Sequence, residues 1–94
     1  MKNDHLFIFA KITPKKEFKD NVKDAILSVI DRTLQEEGCF EFKFLFDEEN
    51  FYLYEEWKDL DALELHYDMP YIKEVFKSYE TWLSKPVEVI KMKN

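Results

Sequence analysis

The segment His5 to Ile12, HLFIFAKI, reads as a strand with no polar face. Leu6, Ile8, Ala10 and Ile12 point one way and Phe7 and Phe9 the other. Such a strand has to be covered on both sides. The demand recurs at Cys39 to Phe46, where strict alternation puts Phe40, Phe42, Phe44 and Phe46 on one face. It recurs again at Phe51 to Trp57, which carries Tyr52 and Tyr54. A large apolar side chain is worth about 1.5 to 3 kcal/mol when buried, so leaving several of them wet would remove much of a total stability of about 5 to 15 kcal/mol. With 94 residues, 46% of them hydrophobic and 17% aromatic, the chain is short of interior for its own side chains. A second copy lying sheet to sheet against the first would supply the missing cover, and a homodimer is expected.

The remaining segments place the helices. Thr13-Pro14 offers an N-cap and a first-turn proline for a long helix running to about Glu37 and closed by Gly38. Its apolar stripe is Phe18, Val22, Ala25, Ile26, Val29, Ile30 and Thr33-Leu34. On those bounds Lys15 and Lys16 stand at the start and Glu36 and Glu37 at the end, against the helix dipole. Asp47 to Asn50 reads as a hairpin turn between the second and third strands. Asp59 can cap a short helix through Tyr67, and Pro70 can open another to about Leu83, with Ile72, Val75, Phe76 and Tyr79 as its apolar side. A last strand spans Val87 to Met92. The order β-α-β-β-α-β, with its second helix broken near Met69-Pro70, predicts an α+β, ferredoxin-like fold with an antiparallel four-stranded sheet, as a single domain over residues 1–94.

Composition removes several functions. A formal net charge of -6 with scattered basic residues argues against nucleic-acid binding. No apolar run reaches the 18 or more residues of a membrane span. The N-terminus does not read as a signal peptide, and the lone Cys39 suits a reducing compartment, so a cytosolic protein is expected. Two histidines and one cysteine, far apart in the chain, fit no metal motif, and a single glycine allows no phosphate loop.

The run EEGCFEFKFLFDEENFYLYEEWKDLDALELHYDMPYIKEVF resembles the core of the antibiotic biosynthesis monooxygenase family. Its pattern falls here on Glu36, Gly38 and Cys39, on Tyr54, Glu55 and Trp57, on Ala62, Leu63 and His66, and on the Met69-Pro70 turn. LSKPVEV, Leu83 to Val89, resembles the family's closing strand. The resemblance implies a dimeric α+β barrel and cofactor-independent oxygenation of a small phenolic or quinol-like substrate, without metal, flavin or haem. It leaves open an isomerase of the same superfamily, or a noncatalytic dimer that binds a small ligand or a partner protein. Two departures stand out. Many relatives have a histidine after the turn proline where this chain has Tyr71. The haem-degrading branch carries an asparagine on the first strand, and this strand has none.

Cofactor-free oxygenation asks for a base and a dry pocket, because a deprotonated, electron-rich ring can pass an electron to dioxygen. His66 is the candidate catalytic base, since imidazole titrates near neutrality; a helix histidine hydrogen-bonded at a helix end is the alternative. Glu55 and Trp57 share a strand face, which the resemblance turns toward the cleft between sheet and helices. Trp57 can stack on a substrate ring or serve as core. Glu55 can line a pocket or pair with lysine in solvent. Tyr71 can donate to a substrate oxygen or simply pack, and Tyr67 takes the same two readings. His5 is expected at the surface, and Cys39 as packing.

Overall fold

The computed structural model describes residues 4–94. Strand β1 (Leu6–Ile12) is followed by a short 3-10 turn (Lys16–Phe18) and helix α1 (Lys19–Leu34). Next come strands β2 (Cys39–Phe46) and β3 (Phe51–Trp57), helices α2 (Leu60–Asp68) and α3 (Pro70–Trp82), and strand β4 (Glu88–Met92). The four strands form one antiparallel sheet in the order β2-β3-β1-β4, with the helices on one face. This is the ferredoxin-like arrangement the element order predicts.

Register assigns the faces. Leu6, Ile8, Ala10 and Ile12 stand opposite Trp57, Glu55, Leu53 and Phe51, and Phe42 and Phe44 stand opposite Glu55 and Leu53. These side chains meet the buried stripe of α1, Val22, Ile26, Val29 and Thr33, together with Ala62 and Leu63 of α2 and Ile72 and Tyr79 of α3. The other face carries Phe7, Phe9, Tyr52 and Tyr54, all half-buried, and the exposed Leu45, Ile90 and Met92. No helix covers it.

Three sequence expectations are corrected. Thr13-Pro14 does not start α1. Pro14 is buried in a bridge to Leu83, the Thr13 carbonyl accepts from Ser84 N, and Lys15 N donates to the Trp82 carbonyl at 2.8 Å. The linker after β1 therefore pairs with the linker before β4, and long-range backbone bonds override a local capping signature. With the true bounds, Asp20 lies in the first turn of α1 and Arg32 in the last, so the end charges agree with the dipole. Phe40 does not share a face with Phe42, Phe44 and Phe46. A bulge between Cys39 and Glu41 turns it out, where it is 53% exposed and stacks on His5 at 4.5 Å.

The other local devices work as read. Asp47 Oδ1 accepts from the backbone N–H groups of Glu49 and Asn50 and so shapes the hairpin turn. Asp59 caps α2 by accepting from Ala62 N at 2.9 Å. The helices break at Met69, with Pro70 in the first turn of α3. No helix among the described residues is long and apolar enough to cross a membrane.

Gly38 links the fold to the site. Its φ of 87° lies in the left-handed region, and a Cβ there would stand 2.7 Å from the Cβ of Ala62. Its carbonyl accepts from Lys58 N at 2.7 Å. Only a residue without a side chain lets the start of β2 pass this close to α2, the helix that carries His66.

Candidate active site

Between the sheet and the helices lies a cavity of about 110 Å³. Its floor comes from β1 and β3 through Ile8, Ala10 and Leu53, and its walls from α1, α2, α3 and Phe42. The lining is apolar apart from four groups: the carboxyl of Glu55, the imidazole of His66, and the hydroxyls of Tyr67 and Tyr79. Cavities of about 150 Å³ hold benzene, so the space matches roughly one small ring. His66, Tyr67, Phe76 and Tyr79 follow one another along the helical side at ring separations of 5.7 to 5.9 Å.

His66 is buried, at 3% exposed. Trp57 and Phe42 hold its ring at 4.7 and 5.7 Å, and its Nδ1 lies 2.9 Å from Oε2 of Glu36 in the turn that leaves α1. A carboxylate at Nδ1 makes that nitrogen the donor, which leaves the lone pair on Nε2. Burial lowers the imidazole pKa below its ordinary 6.5, against the opposing pull of Glu36. The ring is therefore neutral near pH 7 and can accept a proton.

The Glu55 carboxyl, 5% exposed, accepts the indole N–H of Trp57 at Oε1, 2.8 Å away. Burial dominates, the indole bond partly offsets it, and the charge of Glu36 adds to it, so the pKa rises from 4.5 to about 7. Two groups in one apolar cavity are thus each shifted toward the uncharged form. One starts as a carboxylate and the other as an imidazole. Near neutral pH the Glu55 carboxyl can exchange its proton, and the imidazole, held toward its neutral form, can accept one.

The remaining expected residues divide. Tyr67 lines the cavity, and burial raises its hydroxyl pKa to about 12, which keeps it a hydrogen-bond donor. Trp57 is fully buried beneath the site and is not among the residues that line the cavity, as the core reading has it. Its indole instead props Glu55 from one side and His66 from the other. Tyr71 also stands outside the cavity. Its hydroxyl donates to Oε2 of Glu36, and its ring lies under the Arg32 guanidinium at 4.4 Å. Tyr71 therefore braces the carboxylate that holds His66. Among the described residues no lysine pairs with Glu55. His5 is part-buried against Glu56, and the Cys39 thiol, half-buried, is pushed up to about 12 and is no nucleophile. Among the described residues no three His, Cys, Asp or Glu side chains cluster to hold a metal ion.

Sequence reasoning missed Glu36 as a working residue. It was visible only as the first letter of the Glu-x-Gly-Cys pattern, 30 positions before the histidine it holds. Phe42, Phe76 and Tyr79 were visible as core positions, but nothing in their spacing marks them as cavity wall.

The Glu55 shift gives a test of the geometry. The folded chain holds this proton to about pH 7 and the unfolded chain releases it near 4.5. Between those values the folded state binds more protons, so stability falls as pH rises, by about 3 kcal/mol in all. Glu55→Gln should flatten that decline in denaturant unfolding between pH 5 and 7.5. The contribution of His66 has the opposite sign and is common to both proteins. Identical pH dependence in parent and variant would contradict the buried carboxyl.

Comparison with known proteins gives the family and the fold. The family description "Antibiotic biosynthesis monooxygenase" matches residues 6–78. An uncharacterized protein of Synechocystis sp. is 27% identical over 90 residues, covering 93% of this chain, and the chain spans 61% of that relative's length. The crystal structure of a conserved protein from Methanosarcina mazei Go1 is 28% identical, covers 96% of this chain and 92% of its own, and superposes with a TM-score of 0.88. The structure of Rv0793 from Mycobacterium tuberculosis, 18% identical, covers 96% of this chain and 94% of its own at a TM-score of 0.91, and so shares the fold. By the match over most of its length, the chain belongs to the antibiotic biosynthesis monooxygenase family.

Proposed function

We propose that this protein is a homodimeric, cofactor-independent monooxygenase of the cytosol, acting with dioxygen on a small phenolic or quinol-like ring. One observation carries the reading: the His66 ring belongs to the wall of a mostly apolar cavity of about 110 Å³ and is held at Nδ1 by Glu36 at 2.9 Å, which leaves Nε2 to act as the base. In this reading Nε2 of His66 takes the hydroxyl proton of the bound ring. The resulting anion is electron-rich enough to reduce dioxygen. For a hydroquinone, one oxygen atom enters the ring and the other leaves as water, the ring itself supplying both electrons, so the product is a hydroxyquinone. The apolar wall keeps water from quenching the anion, and Glu36, braced by Tyr71, stabilises the imidazolium as it forms.

Turnover of a hydroquinone panel, with and without oxygen, tests this directly. The expected result is an oxygen-dependent hydroxyquinone whose rate falls about 100-fold or more in His66→Ala, the range for loss of a general base. If no compound yields an oxygen-dependent product, the fold is serving as a ligand-binding module.

The dimer rests on a separate argument. The uncovered sheet face holds Phe7, Phe9, Tyr52 and Tyr54 with exposed Leu45, Ile90 and Met92, and water contact with so many large side chains is costly. Sedimentation at micromolar concentration should give a particle of twice the 11.5 kDa chain mass. A species of 11.5 kDa alone would remove the sheet-to-sheet pairing.

A further inference from the structure

Only part of the hydrogen-bonding capacity of Glu55 is in use. Oε1 accepts from Trp57, and among the described residues no side chain or backbone group bonds to Oε2. The carboxyl is 5% exposed and belongs to the cavity wall. That oxygen is not one of the sealed, unpartnered side-chain atoms among the described residues, so it keeps accessible surface and can accept from a ligand hydroxyl.

The surroundings also decide which ligand charge is tolerated. Among the described residues no Lys or Arg lines the cavity. Facing Glu55 are the indole of Trp57 from β3, His66 and Tyr67 from α2, and Tyr79 from α3, while Ile8 and Phe42 flank it from the neighbouring strands. Two further acidic groups, Glu36 and the thiol of Cys39, act on the same region. Nothing there is permanently positive. A ligand carboxylate would meet an acidic group in a low-dielectric space with no cation to share.

We propose that the free Oε2 of Glu55 selects ligands by charge, hydrogen-bonding the hydroxyl of an uncharged single-ring compound and turning away the same ring bearing a carboxylate. This rests on the cavity being the substrate pocket of the preceding reading, and it narrows the substrate class from phenolic compounds in general to those without an acid group.

Anaerobic calorimetric titration with phenol and with benzoate tests it, in the parent and in Glu55→Gln, at about pH 6 and pH 8.5. Phenol is un-ionised and benzoate ionised at both values. At pH 8.5 the parent should bind phenol at least about tenfold more tightly than benzoate, and the ratio should narrow at pH 6 as Glu55 takes up a proton. Glu55→Gln should bring the two ligands within about threefold at pH 8.5, and any pH dependence it retains reports His66. Equal affinities in the parent at pH 8.5, an unchanged ratio in the variant, or no phenol binding would each overturn the proposal. If the variant does not fold, a parent ratio that fails to narrow at pH 6 does so as well. No oxygen is present, so a protein that discriminates in this assay yet shows no oxygenase turnover would sink the oxygenase reading alone.

Discussion

The hydrogen bond between Nδ1 of His66 and Glu36 joins two parts of the chain that local structure would keep apart. Glu36 lies in the turn leaving α1, and His66 near the end of α2. They meet because Gly38, in a left-handed conformation and without a side chain, lets β2 begin against Ala62 one turn of α2 before the histidine. The bond sets the tautomer and orients the ring, and Tyr71 and Arg32 support the carboxylate from outside. The chemical character of the cavity follows from that arrangement. A histidine with Nδ1 unheld could rotate or take the other tautomer, and Nε2 would no longer be fixed as the acceptor.

Burial then tunes the two titrating groups of the cavity in opposite senses. The same low dielectric that favours neutral imidazole favours protonated Glu55, so one physical cause pulls both toward neutrality. Trp57 contributes from beneath by donating to Glu55 and packing against His66. Of the two readings of the indole, stacking partner or core, the buried position fits the core one, and there it fixes the positions of Glu55 and His66. The two-residue step from Glu55 to Trp57 puts both side chains on the helix-covered face, which a one-residue slip of β3 would undo.

Much of this was legible in the sequence where local rules govern. Alternation gave the strands, Asp59 and Pro70 the start of each later helix, and the parity of Glu55 and Trp57 their common face. What escaped depends on contacts between distant segments. Thr13-Pro14 carries a helix-start signature, yet the backbone there bonds to Trp82 and Ser84. The Phe40 to Phe46 alternation is unbroken in sequence, and the bulge that turns out Phe40 leaves no residue mark. Tyr71 follows the turn proline as the family histidine does in many relatives, but its side chain reaches Glu36 and not the cavity. Glu36 itself could be found only once helix, turn and strand were folded together.

The tautomer and charge of the His66 ring decide what the cavity can do, and nitrogen-15 NMR of the imidazole reads both directly. The spectrum should show His66 protonated at Nδ1, with a bare Nε2 and a titration midpoint below 6.5. An imidazole carrying its proton on Nε2, or one that titrates at or above the ordinary value, would contradict it.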